Sequence, residues 1–321
     1  MTAVASRWKP GRALEIVAGT PPGGGLDRAA RALVAAITEN NLCEVPVSVV
    51  NVPGDGARAA WRHIDRYPGD AHVVSISSPN LTTDKLVGLA TFDQRDYTPL
   101  AILYTEYIIF IARPDSRIKT AADLVRQLGE DPSVIVISLS TTLGNPNHIA
   151  VAQVARAAGI DVTAPKIRCF DTALDVVADV VAGKSDVGAI TVASVVKELN
   201  AGNIRPLAIS SPARLNDPFA AVPTWPEAKV DCVVGAWRGV TGPAGLGPYE
   251  IGFWQSLLSA ATNTDTWRRE LAAHHWADMY VDDGALERHL ERERAEYTAL
   301  LTELGLVKKS PATTGEARAG T

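Results

Sequence analysis

Two stretches of this 321-residue chain carry residue types whose spacing suits the capture of an anion. The first is Thr20-Pro21-Pro22-Gly23-Gly24-Gly25-Leu26-Asp27, between the apolar run Ile16-Val17-Ala18 and a helical pattern opening at Leu26-Asp27. A strand-to-helix turn leaves the first N–H groups of the helix without intrahelical partners, and the macrodipole adds partial positive charge there. Glycines in the turn let a small ligand approach the backbone closely. An anion can then be held without Lys or Arg. Asp27 has two readings, a cap for those N–H groups or a carboxylate offered to a donor on the ligand.

The second stretch, Leu139-Ser140-Thr141-Thr142-Leu143-Gly144-Asn145-Pro146-Asn147-His148, echoes that architecture without repeating its sequence. Thr141, Thr142, Gly144 and Asn145 supply hydroxyls, an amide and further N–H groups at a second helix start, and each such donor gives a bound carboxylate a charge-assisted hydrogen bond. His148 is read first as a packing or capping residue and second as a ligand contact. Arg238 beside Trp237 is either a carboxylate fork with an aromatic wall or an ordinary surface pair.

Enzymatic constellations find no support. None of the six histidines (His63, His72, His148, His274, His275, His289) stands in an HExxH arrangement or beside a conspicuous nucleophile. The neighbours His274 and His275 point in different directions on a helix and chelate poorly. There is no GxSxG elbow. The glycine run lacks the Lys and Ser/Thr of a phosphate-binding loop and misses the GxGxxG spacing, and Asn51 stands where a dinucleotide site wants an acid. Cys43, Cys169 and Cys232 form no CxxC pair and read as three buried thiols. No metal or cofactor is expected.

The elements that must position these residues alternate. Strands at 15–18, 45–50 and 72–77 enclose an amphipathic helix at 27–40, with Ala30, Leu33, Val34 and Ile37 on one face, and another through Ala60 and Ile64. Separate strands follow at 101–103 and 107–112, then a helix from 119 with Thr120 as N-cap. A strand at 133–138, helices at 149–158 and 172–182 and strands at 187–192 and 207–211 complete the pattern. Residues 212–226 are rich in Pro and suit a crossing between domains, and 249–304 read as helical. This is an α/β chain of two lobes with parallel sheets, and ligands of such sheets sit outside the carboxyl ends of strands. Two such mouths facing each other make a cleft.

Composition agrees with a globular protein: 46% hydrophobic, 21% charged, net charge −5, with no basic stripe for nucleic acid. Residues 1–14 contain no apolar h-region, so the chain as written carries no recognisable export signal. Residues 306–321 read as a disordered tail.

A family resemblance rests on these same residues. Pro21 to Arg31 resembles the PPGGxxDxxAR signature of the solute receptors of tripartite tricarboxylate transporters, the TctC or Bug family. Val50 to Gly56 is similar to its VNxPGxG turn, Gly144 to Ala150 to its second-lobe loop, and Asp175 to Asp186 to its DLLGGxVD helix. Arg205 to Ser210, Val222 to Thr224 with Glu227, and Trp237 to Gly245 continue the series in order. The resemblance implies a type II periplasmic-binding-protein fold and a non-enzymatic receptor. It implies 15–110 with 228–305 as lobe 1 and 111–227 as lobe 2, closing on a small organic carboxylate: a di- or tricarboxylate, an acidic amino acid or an aromatic acid. The expected cleft residues are Thr20, Pro22, Gly23, Gly24, Gly25, Leu26, Asp27, Ser78, Thr141, Thr142, Gly144, Asn145, His148 and Thr172. The implied partners are the membrane components of the transporter, with a monomeric receptor in the periplasm; the missing leader leaves a cytoplasmic carboxylate sensor or scavenger on the same fold as the alternative, with an α/β enzyme acting on a carboxylate behind it. Phe170-Asp171-Thr172 departs from the family's usual Tyr, polar residue and Gly, and Pro68-Gly69-Asp70 replaces Pro-Asp-Gly.

Overall fold

The computed structural model describes residues 8–308. In chain order, β1 (Leu14–Ala18), α1 (Gly25–Glu39), β2 (Val47–Asn51), α2 (Arg58–Ile64), β3 (Val73–Ser77) and α3 (Asn80–Leu86) lead into β4 (Thr98–Ala112). Then come α4 (Ala121–Glu130), β5 (Val136–Ser140), α5 (Pro146–Ala157), β6 (Lys166–Phe170), α6 (Ala173–Val181), β7 (Val187–Thr191), α7 (Val196–Asn200) and β8 (Arg205–Ile209). The last described elements are β9 (Gly235–Gly242), α8 (Pro248–Thr262), α9 (Asp265–His274), β10 (Ala277–Val281) and α10 (Asp283–Glu303).

Local chemistry explains several boundaries. α1 buries Ala29, Ala30, Leu33, Ala36 and Ile37 at helical spacing and leaves Arg31 and Glu39 in solvent. Thr120 caps α4 as expected, accepting from the Asp123 N–H while Asp123 reaches back to the Thr120 N–H. β3 is buried on both faces, as a central strand between covered layers must be.

The architecture turns on β4. Sequence patterning anticipates two strands here, separated by the polar residues near Glu106. One 15-residue strand runs through, because the Glu106 carboxylate is buried and paired, accepting from Arg238 Nη2 (3.1 Å) and Trp276 Nε1 (2.7 Å). Up to Tyr107, β4 pairs with β9; from Ile108 it pairs with β7 and β8. It therefore belongs to two sheets, β2-β1-β3-β9-β4-β10 and one in which β4 is followed by β7, β5 and β6. β9 is antiparallel to both β3 and β4, so β1 and β3 run in the direction of β4, towards the second sheet. β7 opposes β4, and β5 and β6 run with β7, so their carboxyl ends point back towards the first sheet. The strand ends of the two lobes therefore face each other. Ser77, the end of β3, lies level with Ile102 through Gly239, while Thr191, the end of β7, lies level with Ile108. That interval of strand is roughly 20 Å. Among the described strands β4 and β9 span it, and α10 crosses alongside them, from α3 at one end to α5 at the other.

Separate cores back the two sheets. Trp61, Trp254, Trp267 and Trp276 pack with α1, β1 and β3 in the first. In the second, Ile108 and Phe110 face α4 and α5, while Ile109 and Ile111 face α6 and Phe219. Val230, Cys232, Val234 and the end of α10, at Tyr297, Leu300 and Leu301, pack with the second core rather than the first, so the packing does not follow the expected limits 228–305. Ser210 ties the crossing chains together. Its Oγ accepts from Ile108 N–H (2.9 Å) and donates to Val234 O (2.6 Å), while its N–H donates to Ile108 O (2.8 Å).

Four further differences from the sequence reading appear. β10 interrupts the stretch expected to be helical. Of the expected tail, 306–308 is packed, with Lys308 N–H donating to Leu86 O (2.9 Å); 309–321 and 1–7 lie outside the described residues. The described part of the N-terminal stretch is anchored, Trp8 against His72 and Phe253, and Leu14 already belongs to β1. Only Cys232 is a buried thiol; Cys43 is half-buried and Cys169, on the edge strand β6, is exposed. No described helix is long and apolar enough to cross a membrane.

On α10, Glu293 is buried where the crossing strands meet the helix, accepting from Trp237 Nε1 (2.9 Å) and Tyr297 Oη (2.8 Å). Burial pushes its carboxyl up to about 7, against the pull of those two donors. Between its unfolded value near 4.5 and about 7, the folded chain holds a proton that the unfolded chain has released, so this group's stabilisation is complete at low pH and lost as pH rises. Urea titrations should show Glu293→Gln gaining up to roughly 3 kcal/mol on wild type between pH 4.5 and pH 8. A pH-independent difference would mean that Glu293 is ionised throughout.

Candidate functional site

The first loop is held by its own side chains. The Thr20 hydroxyl accepts from the Asp27 N–H (3.0 Å), taking the capping place inside α1. A Cβ on Gly24 would stand 2.6 Å from Thr20 Oγ1, so that glycine serves the loop's own close packing. Asp27 is buried, and its carboxylate accepts from Gly23 N–H (2.7 Å), Asn51 Nδ2 (2.8 Å) and Arg31 Nε (2.9 Å). Burial alone would raise its pKa, but these hydrogen bonds outweigh it and hold the group below its usual range. Both oxygens of Asp27 are engaged within the protein, and its carboxylate bonds to the loop ahead of the helix rather than to the first-turn N–H groups. Asn51, which also donates to Thr20 O (2.9 Å), is the residue that clasps the loop. What remains open at the helix start is the N–H of Gly25 and of Leu26, which have no hydrogen-bond partner among the described residues. The Leu26 side chain lies in the first core, whereas Pro22 and Gly23 are exposed. Ser78 is buried at the end of β3, its carbonyl accepting from Leu81 N–H.

The second loop is built alike. Asn145 caps α5, accepting from His148 N–H (3.1 Å) and donating to Thr141 Oγ1 (2.9 Å) and to Ser140 O. Thr141 sits at φ 64°, a left-handed conformation that costs a β-branched residue energy and is held by these bonds. Gly144, at φ 87°, abuts Val87, where a Cβ would come within 2.7 Å. His148 Nδ1 accepts from Gly144 N–H (3.0 Å), and burial pushes the imidazole down to about 4, so it serves as a neutral acceptor inside the loop. The Thr142 hydroxyl is buried without a partner. Thr172 is exposed and caps α6, accepting from Asp175 N–H (3.2 Å); its loop adjoins the second through Thr141 N–H to Phe170 O (2.9 Å).

Between the loops, on the floor formed by the crossing strands, lies a group the sequence did not assemble. Arg238 is neither a free fork nor an exposed pair. Its Nη2 meets Glu106, its Nη1 donates to Ala236 O (2.8 Å), and a Cβ on Gly25 would stand 3.7 Å from Nη2. Trp237, its neighbour in the strand, faces the opposite side onto Glu293 and is not its aromatic wall. Thr20, Gly23, Gly24 and Asp27 thus form one bonded unit, and Thr141, Gly144, Asn145 and His148 another. Asn51 and Glu106 were missed as participants; only the turn following β2 hinted at Asn51. Among the described residues, no group of three His, Cys, Asp or Glu could hold a metal ion.

Two α/β bodies sharing crossing strands, with helix starts aimed into a common gap, define a two-lobed solute-binding protein of the periplasmic-binding type. The family profile of the tripartite tricarboxylate transporter family receptor, TctC, matches residues 30–306, and the chain belongs to this family. It is a family of solute-binding receptors rather than enzymes. The chain is 28% identical over 240 residues to the UPF0065 protein in the tcbD-tcbE intergenic region of Pseudomonas sp. (strain P51), spanning 74% of this chain and 69% of that one. Among solved structures, R. palustris Rpa4515 with adipate aligns at TM-score 0.81 and 20% identity over 93% of this chain and 99% of that one. MatC from Rhodopseudomonas palustris with bound malate aligns at TM-score 0.74 and 19% identity, over 91% and 99%. At such identities the likeness speaks for the fold.

Asp27→Ala removes the acceptor shared by the Gly23 N–H, the Asn51 amide and the exposed Arg31 guanidinium, and should cost about 1–3 kcal/mol in denaturant unfolding. For His148, the unfolded imidazole binds protons between pH 6.5 and about 4 while the folded one does not, so its contribution is intact above pH 6.5 and lost as pH falls. His148→Asn, which keeps an acceptor for Gly144, should remove that acid-side loss in stability measured from pH 7 to pH 4.

Proposed function

We propose that this chain is the receptor of a tripartite tricarboxylate-type transporter and takes a small organic carboxylate into the gap between its lobes. The observation that carries this reading is the pair of unpartnered N–H groups at Gly25 and Leu26, at a helix start whose acid is consumed internally. A carboxylate there meets fixed dipoles already aimed at it, and no loop charge needs rearranging. Across the gap, the Thr142 hydroxyl is the matching unpartnered donor. Thr20, Pro22, Gly23 to Leu26, Ser78, Thr141, Thr142, Gly144, Asn145 and Thr172 form the surroundings of the ligand, with Asp27, Asn51 and His148 as their scaffold. The adipate and malate held by the two Rhodopseudomonas palustris proteins support a carboxylate as the class.

Closure brings the two loops onto one ligand by bending at the crossings, near Glu106–Ile108 and between Ser210 and Gly235. The ligand drives it by contacting both lobes only when they meet. The receptor acts as a monomer in the periplasm and delivers its cargo to the membrane subunits.

Gly25→Pro tests the reading. Pro suits the first helical position and requires an extended preceding residue, and Gly24 is at φ −72°, ψ 166°. The variant loses one donor and little else. Calorimetric titration with a carboxylate that binds wild type should show affinity reduced about tenfold to a hundredfold, with the melting temperature unchanged. Unaltered affinity would remove the α1 start from the site.

A further inference from the structure

The two sides of the gap differ in chemistry. On the first-lobe side, Arg28 donates through Nη1 to Gly23 O (2.7 Å), and its Nε is buried without a partner. Arg238 Nε is likewise buried and unpartnered. The fully buried Tyr104 hydroxyl has no partner either and lies within the field of both guanidiniums. Glu106 offsets one of these two positive charges, and Asp27 is already paired with Arg31. Glu270 faces His274, and the Arg28 guanidinium is left without a salt bridge among the described residues, beside the open N–H groups of α1. That suits a single carboxylate.

The second-lobe side is different. Its rim, residues 141–145 and 171–174, contains no Lys or Arg, and its one charged residue is the exposed Asp171. It also carries two of the few large apolar side chains left in solvent, Leu143 at 41% and Leu174 at 72% exposure. The two belong to one place: Ser140 and Phe170 are paired at the ends of β5 and β6, and Leu143 and Leu174 follow three and four residues later. A second carboxylate reaching this rim would meet Asp171 and Asp175, while the nearby Arg168, stacked over the Phe170 ring, is already engaged with Asp179 (3.2 Å) and Lys184 O. Two leucines are also far short of the roughly 800 Å² per partner that a stable protein interface covers. They suit the body of a small molecule.

Building on the carboxylate reading above, we infer that the ligand is an acid charged at one end only, an aromatic or medium-length aliphatic monocarboxylate. Its carboxylate lies at the α1 start beside Arg238, and its apolar body lies on Leu143 and Leu174. Closure withdraws both leucines and the ligand from water together, so apolar burial supplies selectivity that the charge-poor second rim does not.

The test is calorimetric titration of the full chain with benzoate, hexanoate, adipate and citrate, on wild type and on a Leu143→Ser, Leu174→Ser double variant. Both leucines are exposed, and circular dichroism confirms that the variant is folded. Benzoate or hexanoate should bind at least tenfold more tightly than adipate or citrate, and the double variant should lose at least tenfold for the monoacids while leaving the polar acids unchanged. Tighter binding of adipate or citrate, or monoacid binding indifferent to the two serines, overturns the inference and leaves the carboxylate reading standing. Silence from all four acids overturns both.

Discussion

The structure depends on one strand being shared by two sheets. Since β4 pairs with β9 in its first part and with β7 and β8 in its last, its direction is common to both lobes, and every other strand is oriented against it. The facing of the two sets of carboxyl ends follows from hydrogen-bond geometry alone. Burying Glu106 in mid-strand is the condition for this continuity; left unpaired there, a carboxylate would cost more than the strand gains. Arg238 and Trp276 supply its partners. Ser210 then fastens the return crossing to the outward one through buried hydrogen bonds to Ile108 and Val234.

Within that frame, both loops show the same economy. Each is held by side chains that bond to their own backbone: Thr20, Asp27 and Asn51 in the first, Asn145 and His148 in the second. The polar side chains that look most ready to greet a ligand are those already spent on shape. The unspent groups are backbone N–H, the Thr142 hydroxyl and the edges of two arginines. In a chain of net charge −5, such local dipoles rather than the overall field must favour an anion.

How far this was legible in the sequence depends on the distance over which each signal acts. The two helix-start loops, the cap at Thr120 and the alternation of strands and helices are set by neighbouring residues, and they could be read, whereas Thr172 was read as a cleft residue and not as the cap of α6. The family resemblance, carried by motifs in order, gave the two-lobed class. What could not be read was set by partners far along the chain. The pairing of Asp27 with Asn51 could not be read because the two lie 24 residues apart. β4 appeared broken because the partners of Glu106 lie 132 and 170 residues on. β6 alternates weakly at an exposed edge, β9 is rich in glycine, and β10 is embedded between helices, so none shows the apolar period of a half-buried strand.

The separation of holding from touching has a consequence for descent. Asp27, Asn51, Asn145 and His148 are bound into the loops, and changing any of them disturbs the fold. Leu143 and Leu174 stand outside the described cores, 41% and 72% exposed. If the rim reads the cargo as inferred above, single changes there would alter the cargo through folded intermediates, while the loop anchors are held in place by the shape they maintain. Diversity of diet and constancy of architecture are then two outcomes of one division of labour among side chains.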